Sequence, residues 1–182
     1  MYDAILFLVE GFEEIEAVAT LDVLRRGGVN VVSVSLTGSL DVTGSHEITI
    51  KADKLFEDMG DPAEAMLILP GGPGRVNFEK HEAFLNLLKA HNALGKKIAA
   101  ICGAPTILGD MGILANKTAV CYPALESELK AAKIGSTPTV TDGNIITSKA
   151  AGTTIDFALE IVRNIKGGTE AAKVSESIIA YG

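Results

Sequence analysis

Cysteine is scarce in this chain. Cys102 and Cys121 are the only two in 182 residues, too few for a disulfide framework in a domain of this size and spaced like no common zinc motif. Each is expected as a free thiol, with no metal. Histidine is nearly as scarce, with three in all. His81 and His91 fall on a predicted helix, where they are expected to face solvent. Neither adjoins a candidate nucleophile, so a Cys–His dyad must recruit a distant histidine or not exist. Positive charge is in deficit: 16 Lys and Arg against 23 Asp and Glu leave a net charge of −7. That field repels phosphate backbones and anionic lipid, which argues against nucleic-acid and membrane partners. Long apolar runs are missing as well. The uncharged stretch 98–109 is broken by Gly103 and Pro105 and is too short to span a bilayer. No basic segment precedes the first apolar run, so no secretory signal is expected and a cytoplasmic location follows.

What the chain does have is ample apolar material, 47% of its residues, arranged as short runs alternating with helical patterns. Residues 4–9, 29–34, 66–69 and 97–101 read as buried strands. A helix is expected over 13–26, with Ile15, Val18, Ala19, Leu21 and Val23 at helical spacing and Gly27-Gly28 ending it. Further helices are expected over 81–94, 106–111, 124–132, 154–165 and 169–178. A hairpin or edge excursion fits 36–51, a short strand 119–121, and a hairpin the turn at Asp142-Gly143. Strands this uniformly apolar, separated by helices, predict a single domain over 1–182: a three-layer α/β/α sandwich on a mostly parallel sheet. In such sheets ligands bind outside the carboxyl ends of the strands. Two chain breaks are expected there: Pro70-Gly71-Gly72-Pro73-Gly74, and the turn at Cys102.

Ile101-Cys102-Gly103-Ala104-Pro105 places a thiol between a strand and a helix, flanked by small residues, in the layout of a nucleophile elbow. The unpaired N–H groups of the helix N-terminus favour a thiolate there, predicting a pKa well below the ordinary value of about 8.5. The alternative is a buried structural cysteine, which is the preferred reading for Cys121. The glycine loop lacks the Lys-Ser/Thr ending of a P-loop and the spacing of a dinucleotide fingerprint. Its N–H groups can instead supply part of an oxyanion hole beside Cys102. Glu13, Glu14 and Glu16 begin the first helix, where carboxylates suit the dipole, and residue chemistry alone does not choose among them.

Four motifs in order, Gly11-Phe12-Glu13-Glu14-Ile15-Glu16, Leu69-Pro70-Gly71-Gly72, Ala99-Ala100-Ile101-Cys102-Gly103-Ala104-Pro105, and Thr147-Ser148 with Gly152-Thr153, resemble the ThiJ/PfpI superfamily in the branch of the Parkinson-disease deglycase. The resemblance covers nearly the whole chain and implies a flavodoxin-like sandwich and a homodimer. It also implies Cys102 as nucleophile, Glu16 as a buried protonated carboxyl beside it, and Gly72 and Gly103 as oxyanion donors. Gly71, Tyr122, His46 and Lys149 are implied around the substrate. Two positions depart from related patterns. Tyr122 stands where the deglycase branch has histidine, and a phenol is a poor base near neutral pH. Gly103 stands where the protease-like branch has histidine, which disfavours a peptidase.

The resemblance therefore implies a thiol enzyme without cofactor, acting on small dicarbonyls such as methylglyoxal or their protein adducts. Its rival is a redox sensor or holding chaperone whose cysteine oxidises to a sulfinate. A thiamine-precursor role ranks below both, since nothing here recognises a thiazole or a phosphate. A glutamine amidotransferase would want a late His-Glu pair, and no histidine follows His91.

Overall fold

Strand β1 (Ala4–Leu8) is apolar and buried at every position, as a strand covered on both faces must be. The computed structural model describes residues 1–130 and 132–180. After β1 the chain enters a π-helix, Ile15–Ala19, that continues as α1 (Thr20–Arg26). Strand β2 (Val31–Ser35) follows, then an antiparallel ribbon of β3 (Asp41–Thr43) and β4 (Thr49–Lys51), then β5 (Lys54–Leu55). Next come β6 (Met66–Leu69), α2 (Glu82–Ala93), β7 (Ile98–Ile101) and α3 (Pro105–Asp110). The short pair β8 (Thr118–Ala119) and β9 (Lys133–Ile134) precedes the hairpin β10 (Thr139–Asp142) and β11 (Ile145–Ser148). Two helices, α4 (Thr154–Lys166) and α5 (Gly168–Ser177), end the described fold.

Seven strands form one sheet in the order β10-β11-β7-β6-β1-β2-β5, parallel except for the β10/β11 hairpin. Alternation along β1 divides the core. Leu6 and Leu8 join Leu21, Leu24, Phe157 and Ile161 under α1 and α4. Ile5 and Phe7 join Phe84, Leu88, Ile107 and Leu108 under α2 and α3. The sandwich is thus three-layered. From β1 the chain runs to β2 and β5 on one side, and from β6 it runs to β7, β11 and β10 on the other. The direction reverses between β1 and β6, so their carboxyl ends frame the crevice where such folds bind ligands. No helix among the described residues is long and apolar enough to cross a membrane.

Local structure departs from the sequence pattern in four places. The first helix turns Glu14 and Glu16 inward and leaves Ile15 56% and Val18 44% exposed, because the π-turn rotates the face that periodic spacing assigns to the core. The helix expected over 124–132 is a 3₁₀ segment, Pro123–Leu129, and its expected span crosses residue 131, outside the described residues. The strand expected over 119–121 is only β8. His81 caps α2, accepting the Phe84 N–H at Nδ1 over 3.2 Å, and His91 is buried rather than solvent-facing.

His91 is 3% exposed, and its Nε2 has no hydrogen-bond partner among the described residues. Burial, reinforced by the nearby Lys96 charge, holds its pKa below the ordinary histidine value. The folded state therefore binds fewer protons at this site than the unfolded chain. Its contribution to stability is complete above about pH 6.5 and falls as acid protonates the ring. Urea titrations at pH 7.5 and pH 5 should show a smaller acid loss in His91→Leu than in the wild type. Equal losses would remove His91 as the acid-sensitive group.

Candidate active site

The site begins where the loops after β1 and β6 are stitched together. Gly74 N–H donates to the Gly11 carbonyl at 2.8 Å, and Glu13 N–H donates to the Gly71 carbonyl at 3.0 Å. Such an approach needs glycine. Gly72 has φ +97°, and a Cβ there would stand 2.5 Å from Glu13 N and 2.7 Å from the Gly11 carbonyl oxygen. Across the crevice, β7 runs directly into Cys102, whose φ is +63°. A non-glycine residue in that conformation stores about 1–3 kcal/mol of backbone strain. Two bonds hold it in place: Cys102 N–H donates to the Ser148 carbonyl at 2.9 Å, and the Cys102 carbonyl accepts Tyr122 N–H at 2.8 Å. The thiol is half-buried, at the bend between strand and helix where a nucleophile elbow presents its reactive atom.

Glu16 reaches the same point from the π-helix, a feature often found at functional sites. It is 1% exposed. Its Oε2 accepts Gly71 N–H at 2.7 Å, while Oε1 is sealed from solvent without a well-aligned partner. Burial is the main cause raising Glu16 to about 7, against the Gly71 N–H and the Cys102 thiol, which favour its charged form. Cys102 is pushed up to about 12, first by burial and then by the Glu16 charge, with the Gly72 and Gly103 N–H groups opposing.

This reverses the expected acidity of the thiol. Helix α3 is only six residues long, and its N–H groups do not outweigh desolvation and a carboxylate in the same pocket. Two groups coupled this closely titrate as a pair. The pair gives up its first proton near neutral pH and its second only in strong alkali. Above pH 7 one proton serves both, and moving it from sulfur to carboxyl makes the thiolate.

Cys102 opens into a cavity of 370 Å³ walled by Gly72, Pro73, Gly103, Ala124 and Leu125, with Glu13, Arg75 and Tyr122 as its polar members. The cavity brings together four residues anticipated from the sequence: Cys102, Gly72, Gly103 and Tyr122. Gly71 is tied into the scaffold by its own N–H and carbonyl and does not line the cavity. Neither does His46 nor Lys149. The Lys149 ammonium donates to the Ser136 carbonyl at 3.3 Å. His46 Nδ1 lies 2.9 Å from Glu14 and 3.8 Å from Glu13, with its side chain 69% exposed. Cys121 is buried and its thiol donates to the Tyr122 carbonyl at 3.2 Å, as a structural cysteine does. Glu13, Arg75 and the 3₁₀ residues Ala124 and Leu125 were not anticipated as cavity lining. Arg75 follows the glycine loop directly, which was the available signal for it.

Glu13, Glu14 and His46 are the one group among the described residues whose ligand atoms converge as a metal site would require, within 4.8 Å. Protein donors already occupy the Glu14 carboxylate. Its Oε1 takes His46 N–H and Ile48 N–H, and its Oε2 faces His46 Nδ1 and Ser45 Oγ. Burial works against that charge, yet these bonds hold Glu14 down at about 2. The cluster is satisfied without a cation. A larger cavity of 610 Å³ beside α1, α4 and the C-terminal segment is lined by neither thiol nor histidine.

The DJ-1/PfpI family pattern matches residues 3–164. The chain is 34% identical over 94% of its length to Protein DJ-1 homolog B of Arabidopsis thaliana, of which it spans 40%. It is 32% identical to Protein dj-1beta of Drosophila melanogaster, covering 98% of this chain and 97% of that one. It is also 33% identical to Glutathione-independent glyoxalase DJR-1.2 of Caenorhabditis elegans, over 90% and 88% of the two chains. Among solved structures, oxidized Toxoplasma gondii DJ-1 superposes with a TM-score of 0.92 at 32% identity over the full length of both chains.

The shared proton predicts opposite responses in Glu16→Gln. An acid with a raised folded pKa binds more protons folded than unfolded between pH 4.5 and about 7. It therefore costs stability progressively across that window and fully above it. Removing the charge should raise Tm at pH 8, by a free energy of up to about 3 kcal/mol, and should lower the Cys102 pKa as read from the pH dependence of alkylation. An unchanged alkylation profile would separate the two groups.

Proposed function

The chain belongs to the DJ-1/PfpI family, and from that premise we propose that it is a cofactor-independent thiol enzyme converting small dicarbonyls, methylglyoxal among them, to hydroxy acids. The observation that carries this reading is the coupled pair: a buried carboxyl at about 7 against a strained elbow thiol, with the Gly72 and Gly103 N–H groups facing the sulfur. Cys102 attacks the aldehyde carbon. Glu16 takes the thiol proton and later moves protons on the adduct. The two N–H groups hold the oxygen on which charge develops. Water then releases the hydroxy acid. The cavity holds no histidine, and Tyr122 occupies the wall where an imidazole base would work best near neutral pH. Slow turnover follows, because one carboxyl performs every proton transfer.

A second reading uses the same pocket for peroxide sensing, each of two peroxide molecules transferring one oxygen to sulfur and leaving as water, so that the thiol becomes a sulfinic acid. The unpartnered Glu16 Oε1 favours it, since a protonated carboxyl there would donate to a sulfinate oxygen. We also propose a homodimer. Ile15 and Val18, exposed three residues apart on one helical face, and the exposed Ile48 provide apolar surface for a second copy.

Lactate release from methylglyoxal by reduced protein tests the enzyme. Cys102→Ser should lose all turnover, Glu16→Gln should lose about 10²-fold or more, and Tyr122→Phe should keep most of it. Lactate no higher than the Cys102→Ser background would leave only the redox reading.

A further inference from the structure

Arg75 is the cationic side chain on the cavity wall, and its setting is unusual for a surface loop. Its side chain is 17% exposed and lies across Gly103, where an added Cβ would collide with the arginine stem and stand 2.6 Å from Nε. Nη1 donates to Thr106 Oγ1 at 3.1 Å, and Nη2 donates to Glu128 Oε2 at 3.2 Å. These bonds aim the planar guanidinium. Nε–H makes no hydrogen bond among the described residues, and it lies against Gly103 on the cavity wall, which leaves it as a donor for a ligand beside the Gly103 N–H.

Charge decides what kind of ligand. Glu128 at 3.2 Å and Glu79 at 3.9 Å flank the guanidinium, and Glu13 adds a third carboxylate to the wall. A carboxylate-bearing substrate meets no net positive field here. A neutral molecule with an oxygen to place gains a hydrogen bond from a donor whose charge is already balanced.

Resting on the dicarbonyl reading above, we propose that Arg75 is a specificity-determining residue whose Nε–H receives the second carbonyl oxygen of a neutral 1,2-dicarbonyl, while the first lies on the Gly72 and Gly103 N–H groups. The Cys102 sulfur bonds to the aldehyde carbon, and that oxygen takes a proton, giving a hemithioacetal. The C–H bond of the same carbon then breaks. Its proton passes to the Glu16 carboxylate, and its electron pair forms a double bond to the neighbouring carbon, whose carbonyl pair moves onto the oxygen held by Arg75. Returning a proton to that second carbon, and replacing the hydroxyl proton lost from the first with one on the oxygen held by Arg75, gives the thioester of a 2-hydroxy acid. Water cleaves it to the acid and the free thiol. A simple aldehyde has no second oxygen to accept the pair, so it stops at the hemithioacetal. Arg75 thus distinguishes the two substrate classes by the second oxygen it holds.

Arg75→Met and Arg75→Lys in the full chain test this against a purely structural role for the Arg75–Thr106 contact. Removing a donor that holds the carbonyl and the oxyanion that develops on it should lower kcat for methylglyoxal about 10²-fold in Arg75→Met and raise KM about tenfold, and Arg75→Lys should recover part of both. Alkylation of Cys102 by iodoacetamide and the dissociation constant of its propanal adduct should match the wild type. An unchanged kcat would overturn the proposal. Alkylation and propanal binding that fall in step with turnover would overturn it too, leaving Arg75 a strut for the elbow. If wild-type protein releases no lactate above the Cys102→Ser background, the enzyme reading fails by itself. The adducts then decide Arg75: methylglyoxal binding weakened about tenfold with propanal unchanged upholds the subsite, and any other pattern removes it.

Discussion

The backbone of Gly71 passes between the Glu16 carboxyl and Cys102 with no room for a side chain. A Cβ there would stand 2.7 Å from the Cys102 Cβ and 2.9 Å from Glu16 Oε2. The same residue spends its N–H on Glu16 and its carbonyl on Glu13. One residue therefore joins the π-helix after β1, the loop after β6 and the elbow after β7. Any residue larger than glycine would push the carboxyl and the thiol apart, and the shared proton depends on their being close.

That closeness carries a cost the rest of the fold must cover. Cys102 is held at positive φ, and Glu16 is buried where ionisation is disfavoured. The sheet supplies the support, with β1, β6 and β7 buried at every position and aromatic packing such as Phe7 on Phe84 at 4.7 Å beneath it. A rigid strand end holds a strained residue more firmly than a loop would. The proton affinities of Glu14 and Glu16, two residues apart, show how fine the control is. Glu14 meets several donors and is held at about 2, whereas Glu16 meets one backbone N–H and rises to about 7. Environment alone drives the proton affinities of the two carboxyls in opposite directions.

The polar cavity wall extends this division of labour. Arg75 is neutralised by Glu128 and Glu79 and presents no unbalanced positive charge to a bound molecule, while Glu14, which does not line the cavity, is satisfied by the His46 segment. His46 stays outside the cavity and reaches it only through its neighbours Glu14 and Glu13. The guanidinium on the cavity wall thus offers a bound molecule hydrogen-bond donors without a net positive field.

The strands, the two chain breaks at the carboxyl end of the sheet and the elbow at Cys102 were legible in the sequence, because uniformly apolar runs and small residues at a sharp turn are local signals. Residue chemistry did not choose among Glu13, Glu14 and Glu16, and only the resemblance singled out Glu16. The inward turn of Glu16 was not legible, since the π-helix inverts the face that helical periodicity assigns and exposes Ile15 and Val18 instead. The burial of His91 and the place of Arg75 on the cavity wall were equally hidden. So was the sign of the Cys102 shift. A helix N-terminus is visible in sequence, but desolvation and a carboxylate brought from 86 positions away are not. Sequence determined that a thiol stands at a strand-to-helix turn beside a glycine loop, and tertiary packing decided how the protons of Cys102 and Glu16 are held, because proton affinity depends on neighbours in space rather than along the chain.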